Sequence, residues 1–131
     1  MLEVYTDGGC RVGTGKGAAT FLVVDGGCLQ YIHSFPLIKN GLTNNQAEYM
    51  AVVMAIMNVS RKCTLFSDSE IVVKQMNGEY AVKDAVLKEI YSTAKEIVKN
   101  AGMTVTFKNV PRTNKYIGIC DKMNKQMMEL I

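Results

Sequence analysis

The sequence predicts an α/β fold: a five-stranded mixed sheet in strand order 3-2-1-4-5, with strand two antiparallel and helices on both faces. Three observations lead there. Three apolar runs at the amino-terminal end are joined by glycine-rich turns, which reads as an antiparallel meander. Two later apolar runs each follow a helical pattern, and helical crossovers make those strands parallel to the first. The chain has 131 residues, enough for one domain, 1–131, with a buried core.

Composition narrows the class. The chain is 48% hydrophobic and 21% charged, as in soluble globular proteins. No apolar run approaches membrane-spanning length, so no membrane partner is expected. Residues 1–10 lack the basic start and apolar core of a signal peptide, and a cytoplasmic location is expected. Cys10, Cys28, Cys63 and Cys120 form no Cys-x-x-Cys pair and suggest neither a zinc site nor a disulfide framework. The net charge of +3 permits a nucleic-acid partner without demanding one. A monomer is expected, although nothing in the sequence fixes the oligomeric state.

The elements follow in order. Leu2, Val4 and Thr6 alternate with Glu3, Tyr5 and Asp7, a β pattern. Gly8 and Gly9 are expected to end that strand, leaving Asp7 at its tip beside bare backbone. The turn through Gly13, Gly15 and Gly17 is no phosphate loop, because Lys16 is followed by glycine and no helix follows. Ala18 to Val24 is the second strand, Asp25-Gly26-Gly27 a hairpin turn, and Cys28 to Phe35 the third strand, ended by Pro36. Thr43 or Asn44 caps a helix whose apolar face is Ala47, Met50, Ala51, Met54 and Met57. Glu48 sits beside that face, one turn in. Thr64 to Ser67 is the fourth strand and runs into Asp68; Ile71 to Met76 is a short helix ended by Asn77-Gly78. Asp84 caps a longer helix with the stripe Leu87, Ile90, Tyr91, Ala94, Ile97 and Val98, while Lys88, Lys95 and Lys99 face solvent. Met103 to Val110 is the fifth strand, ended by Pro111. Ile119 to Leu130 is the last helix, with Cys120, Met123, Met127 and Leu130 facing inward and Asp121 near its start.

That order implies a site. The chain leaves strand one on one side, into strand two, and returns on the other as strand four. This is a topological switch point, where open α/β sheets bind ligands at the strands' carboxyl ends. Asp7 and Asp68 fall at those two ends, and Glu48 and Asp121 reach the same rim from helices. Four carboxylates in one place cannot all stay ionised without cations. Two Mg²⁺ ions about 3.5–4 Å apart would relieve the repulsion and make a phosphodiester-cleavage site.

Tyr5-Thr6-Asp7-Gly8-Gly9, Thr43-Asn44-Asn45-Gln46-Ala47-Glu48, Ser67-Asp68-Ser69, and Pro111-Arg112 through Asp121 and Asn124 resemble, in order, the motifs of the type 1 ribonuclease H family. The resemblance spans nearly the whole chain. It implies the ribonuclease H-like fold and endonucleolytic cleavage of the RNA strand of RNA–DNA hybrids, leaving 5′-phosphate and 3′-hydroxyl ends. It also implies Mg²⁺ as cofactor, with Mn²⁺ as a substitute. Carried over by position, Asp7, Glu48, Asp68 and Asp121 are the catalytic metal ligands. Gly8, Gly9, Asn44 and Asn45 would contact the minor groove of the hybrid, and Thr43 a phosphate. The chemistry suits the assignment: a hybrid is told from DNA by its 2′-hydroxyls, exposed in a wide minor groove.

Two features depart from the family. Many members carry a basic, tryptophan-bearing protrusion between the two middle helices; residues 77–83 are too short for it, and the chain has no Trp. This short form is similar to the archaeal-type branch. Lys74, Lys83 and Lys88 are then candidate basic contacts. Many members also have a histidine in the loop before the last aspartate. Here that loop offers Arg112 and Lys115, and the single histidine, His33, reads as structural, in the third strand. Two other readings share the fold, a non-catalytic nucleic-acid-binding domain and a nuclease acting on DNA or a DNA junction. The four acids speak against the first and the asparagines after Thr43 against the second.

Overall fold

The computed structural model describes residues 1–131. Strands β1 (Leu2–Arg11), β2 (Lys16–Asp25) and β3 (Cys28–Ile38) form the meander. Helix α1 (Asn44–Val59) leads to β4 (Cys63–Ser67), then α2 (Glu70–Met76) and α3 (Ala85–Ala101) to β5 (Val105–Asn109), and α4 (Lys115–Glu129) follows. The sheet order is β3-β2-β1-β4-β5. β2 runs antiparallel to both its neighbours, and β4 and β5 run parallel to β1. Order and directions are those the sequence predicts.

Alternation within the sheet sorts the core into two layers. On one face Val4, Phe21, Val23 and Leu65 pack under Tyr49, Val52 and Ile56 of α1, with α3 outside. On the other, Tyr5, Leu22 and Val24 pack under Ile117 and Cys120 of α4. Successive strand residues point to opposite faces, so Tyr5 and Asp7 belong to the α4 side and Val4, Thr6 and Gly8 to the α1 side. No helix is long and apolar enough to cross a membrane.

The structure corrects several expected boundaries. β1 does not end at Gly8: it continues to Arg11, with Gly8 opposite Ala19 and Gly9 opposite Ala18. A partner strand along the whole extension supplies the ladder that weak glycine propensity would not sustain alone. β3 likewise runs through Pro36 to Ile38, because it is an edge strand and one side of it needs no donors. In α1 the buried apolar residues are Ala47, Tyr49, Ala51, Val52, Val53, Ala55 and Ile56, whereas Met57 is exposed. Sheet and α3 cover the helix from two sides, so burial exceeds the single expected stripe. α4 starts at Lys115 rather than Ile119, because the Asn114 carboxamide accepts from the Tyr116 and Ile117 amides and caps it there. Its buried residues are Ile117, Cys120, Asn124 and Met128, not Met123, Met127 and Leu130. Of the expected set only Cys120 is buried, and Leu130 lies exposed past the helix end.

The short connection after α2 is pinned from within. Tyr49 Oη donates to buried Gln75 Oε1 at 2.6 Å, and Gln75 Nε2 donates to the Ala81 carbonyl at 3.2 Å.

Candidate active site

The parallel ladder between β1 and β4 ends at Thr6 opposite Ser67. The next residue on each strand is acidic, Asp7 and Asp68, so both carboxylates stand where the ladder opens. It is this ladder, and not β1 itself, that stops there. Glu48 approaches from the other side of the sheet, on the second turn of α1. Its Oε1 accepts from the Gly8 amide at 2.6 Å. That contact needs a glycine: a Cβ on residue 8 would lie 2.6 Å from the Glu48 amide nitrogen and closer still to the Ala47 carbonyl. Gly8 thus lets α1 come close enough to deliver its glutamate.

Asp7, Glu48 and Asp68 can each offer a carboxylate oxygen within 4.8 Å of the others. Asp121 stands outside this group. It lines the same cleft, of about 650 Å³, but is half-exposed and pairs with Lys125, one turn on in α4, at 3.0 Å. The electrostatics register the crowding. Burial, then the Asp68 and Asp121 charges, push the Asp7 carboxyl up to about 7, against weaker opposition from Asn124 and Glu48. Burial above all, and the Asp7 charge, also hold the Glu48 carboxyl well above the usual range, although the Gly8 amide favours its anion. Acidic oxygens this close, in a pocket that resists their ionisation, fit a hard divalent cation.

A hydrogen-bonded group that sequence reasoning did not assign supports Asp7. Asn124, 2% exposed, donates from Nδ2 to the Asp7 main-chain oxygen at 3.0 Å and to Oδ2 at 3.2 Å. Thr20 Oγ1 lies 2.6 Å from Asn124 Oδ1 and 2.9 Å from Ser34 Oγ. One signal was available: Asn124 follows Ile117 and Cys120 at helical spacing, a polar residue on an apolar stripe. Lys125, which also lines the cleft, carried no signal beyond its i,i+4 distance from Asp121.

The other candidates divide. Gly8, Gly9, Asn44, Asn45 and Arg112 all line the cleft. Asn44 Oδ1 accepts from the Cys10 amide at 3.0 Å, tying the start of α1 to β1, while Asn45 is exposed. Thr43 is the N-cap of α1, in a reciprocal capping box with Gln46. Lys74 pairs with Glu70 at 3.1 Å and lies over the Tyr80 ring, and it does not line the cleft. Lys83 is exposed in the connection before α3, and Lys115 lies over Tyr116 at the start of α4. His33 stacks on Phe21, ring centroids 5.3 Å apart, on the α1 face of the edge strand and is not part of the cleft.

The RNase H family profile matches residues 1–128. The chain belongs to the RNase H family. Among curated relatives, the ribonuclease H of Pseudomonas putida (strain W619) is 34% identical over 105 residues, 78% of this chain and 67% of that one. The chain spans 47–67% of the length of the first such relatives it matches. Two solved RNase H structures have a TM-score of 0.88, at 24% identity, with 99% of this chain and 98% of theirs covered. One is LC11-RNase H1 in complex with an RNA/DNA hybrid, and the other is RNase H1 from the halophilic archaeon Halobacterium salinarum NRC-1. The sheet described above is thus the RNase H fold, and its acidic group lies in the cleft of an RNase H domain.

Proposed function

We propose that this chain is a divalent-metal-dependent endoribonuclease that hydrolyses the RNA strand of RNA–DNA hybrids. The observation that carries the reading is the convergence of Asp7, Glu48 and Asp68 within 4.8 Å, with Asp121 on the wall of the same cleft, in a chain of the RNase H family. Asp7, Glu48, Asp68 and Asp121 would hold two Mg²⁺ ions, or Mn²⁺ in their place, and that pair would supply an activated water and neutralise charge on the leaving oxygen. The products would be a 5′-phosphate and a 3′-hydroxyl.

The chain's own groups bind and orient the substrate. Arg112 offers a planar, permanently charged donor fork to a backbone phosphate at the cleft wall. Asn44 keeps its Nδ2 for a groove acceptor while its Oδ1 is held by Cys10, and exposed Asn45 offers a whole carboxamide beside it. These neutral donors at the start of α1 would reach ribose oxygens and base edges in the minor groove, where RNA differs from DNA.

The deciding assay is Mg²⁺-dependent cleavage of a labelled hybrid beside duplex DNA and duplex RNA of the same sequence. Nicking of the RNA strand of the hybrid alone is expected. Binding without cleavage would make the domain a hybrid-binding module, and cleavage of duplex DNA would make it a DNA nuclease.

A further inference from the structure

We propose that Ser34, Thr20 and Asn124 form a one-way hydrogen-bond chain that fixes the orientation of Asp7, so that Thr20 and Asn124 are positioning residues for the cation-binding carboxylates. The inference rests on the reading of the cleft as a metal site and adds residues outside the acidic group.

Asp7 is the register partner of Thr20 across β1 and β2, and Thr20 is the register partner of Ser34 across β2 and β3. The three therefore form a row perpendicular to the strands, pointing to the face that α4 covers. Asn124 enters that row from the helix. Donor and acceptor chemistry leaves it one polarity. The Asp7 main-chain oxygen, and Oδ2 once Asp7 is ionised, can only accept, so Asn124 must present its Nδ2 to both. Its Oδ1 then faces Thr20 and can only accept, so the single Thr20 hydroxyl proton points to Asn124. Ser34 must in turn donate to Thr20. Each donor has one assignment, and the chain ends on the carboxylate.

Its place makes this more than a satisfied core amide. Asp7 is crowded by Glu48 and Asp68, and unrestrained it would swing away from them. Asn124 grips it at two points, one on the side chain and one on the main chain. A flip of the Asn124 carboxamide would set Oδ1 against the Asp7 main-chain and carboxylate oxygens, and in the unflipped state the Thr20 hydroxyl holds Oδ1 in place by donating to it. Thr20 is fully buried, so no water replaces its hydroxyl without rearrangement. Partners that orient a metal-binding group commonly change metal affinity by about 10–100-fold when removed.

The test is Mn²⁺ titration calorimetry on the full chain at pH 8, without nucleic acid, with melting temperatures and cleavage kinetics alongside. Thr20→Val keeps the shape and removes the hydroxyl; Asn124→Ala removes the grip itself and supplies the same readout if Thr20→Val does not fold. Both are expected to weaken Mn²⁺ binding roughly ten-fold. Thr20→Ser, which loses packing but keeps the hydroxyl, should melt lower yet bind Mn²⁺ like the parent. The double variant Thr20→Val/Asn124→Ala should bind no more weakly than Asn124→Ala alone. In cleavage, kcat should fall with KM for the hybrid unchanged. Parental Mn²⁺ affinity in a folded Thr20→Val or Asn124→Ala, whatever its melting temperature, would make the network ordinary packing and overturn the inference. A parent that binds no Mn²⁺ would overturn the metal-site reading itself, a distinguishable result.

Discussion

Gly8 and Gly9 are adjacent in sequence and unlike in constraint. A Cβ on Gly8 meets the main chain of Ala47 and Glu48, whereas one on Gly9 meets nothing within 4 Å. Gly8→Ala is therefore expected to cost about 1–3 kcal/mol, the usual range for overpacking, and Gly9→Ala far less; urea denaturation of the two variants side by side checks it. Asp7 gives a pH signature. Its folded-state pKa, about 7, lies above the ordinary carboxylate value near 3.9. Between those values the folded metal-free protein binds more protons than the unfolded one, so this group's contribution is full in acid and is lost as pH rises towards 7 and beyond. Asp7→Asn removes the repulsion and leaves an amide oxygen for Asn124. Metal-free Asp7→Asn should melt higher than the parent at pH 8, with the gap closing near pH 4. No gap at pH 8 would mean that Asp7 is not under the strain its neighbours imply.

Among the elements, what the sequence showed and what it hid have separate causes. Topology was legible because it follows from the order of elements: hairpin turns dictate antiparallel neighbours, and helical crossovers dictate parallel ones. The three converging acids were legible because Asp7 and Asp68 each end an alternating run and Glu48 falls one turn inside a capped helix. Extents were hidden because partners set them. β1 passes through two glycines on the strength of β2, and β3 passes through Pro36 because nothing pairs with its outer side. The α4 face was misjudged because Asn124 breaks the apolar stripe, and that residue is polar because of what it holds. The sequence pattern points to a start at Ile119, past the Asn114 cap. Since its side chain satisfies two amides of the first turn, Asn114→Ala should cost about 1 kcal/mol and Asn114→Asp much less, as thermal or urea unfolding will show. An Asn114→Ala variant as stable as the parent would place the true start of the helix further along.

At the scale of the molecule, a cation held in the acidic cleft would couple its binding to stability. A ligand that binds only the folded state stabilises it by mass action, about 2.7 kcal/mol at a concentration 100 times its Kd. Mn²⁺ should therefore raise the melting temperature at pH 8, above the Asp7 value of about 7, and much less at pH 5, where Asp7 keeps its proton. Equal shifts at both pH values would locate the bound ion elsewhere. Asp68→Asn should abolish both the pH 8 shift and the cleavage, while the fold survives. Hybrid binding should weaken steeply with salt, because a phosphate backbone is held largely through release of its counterions.

The bond from Asn124 to Asp7 joins residues 117 apart in a chain of 131. Such a closure is among the most demanding in loop entropy that this chain makes. On a ribosome, Asp7 emerges well before α4, whose Asn124 follows 117 residues later. Until that helix docks, the first carboxylate has neither its clamp nor its partner Asp121. The acidic cleft is therefore assembled only once the two distant stretches of chain have met, which makes its geometry a late product of folding.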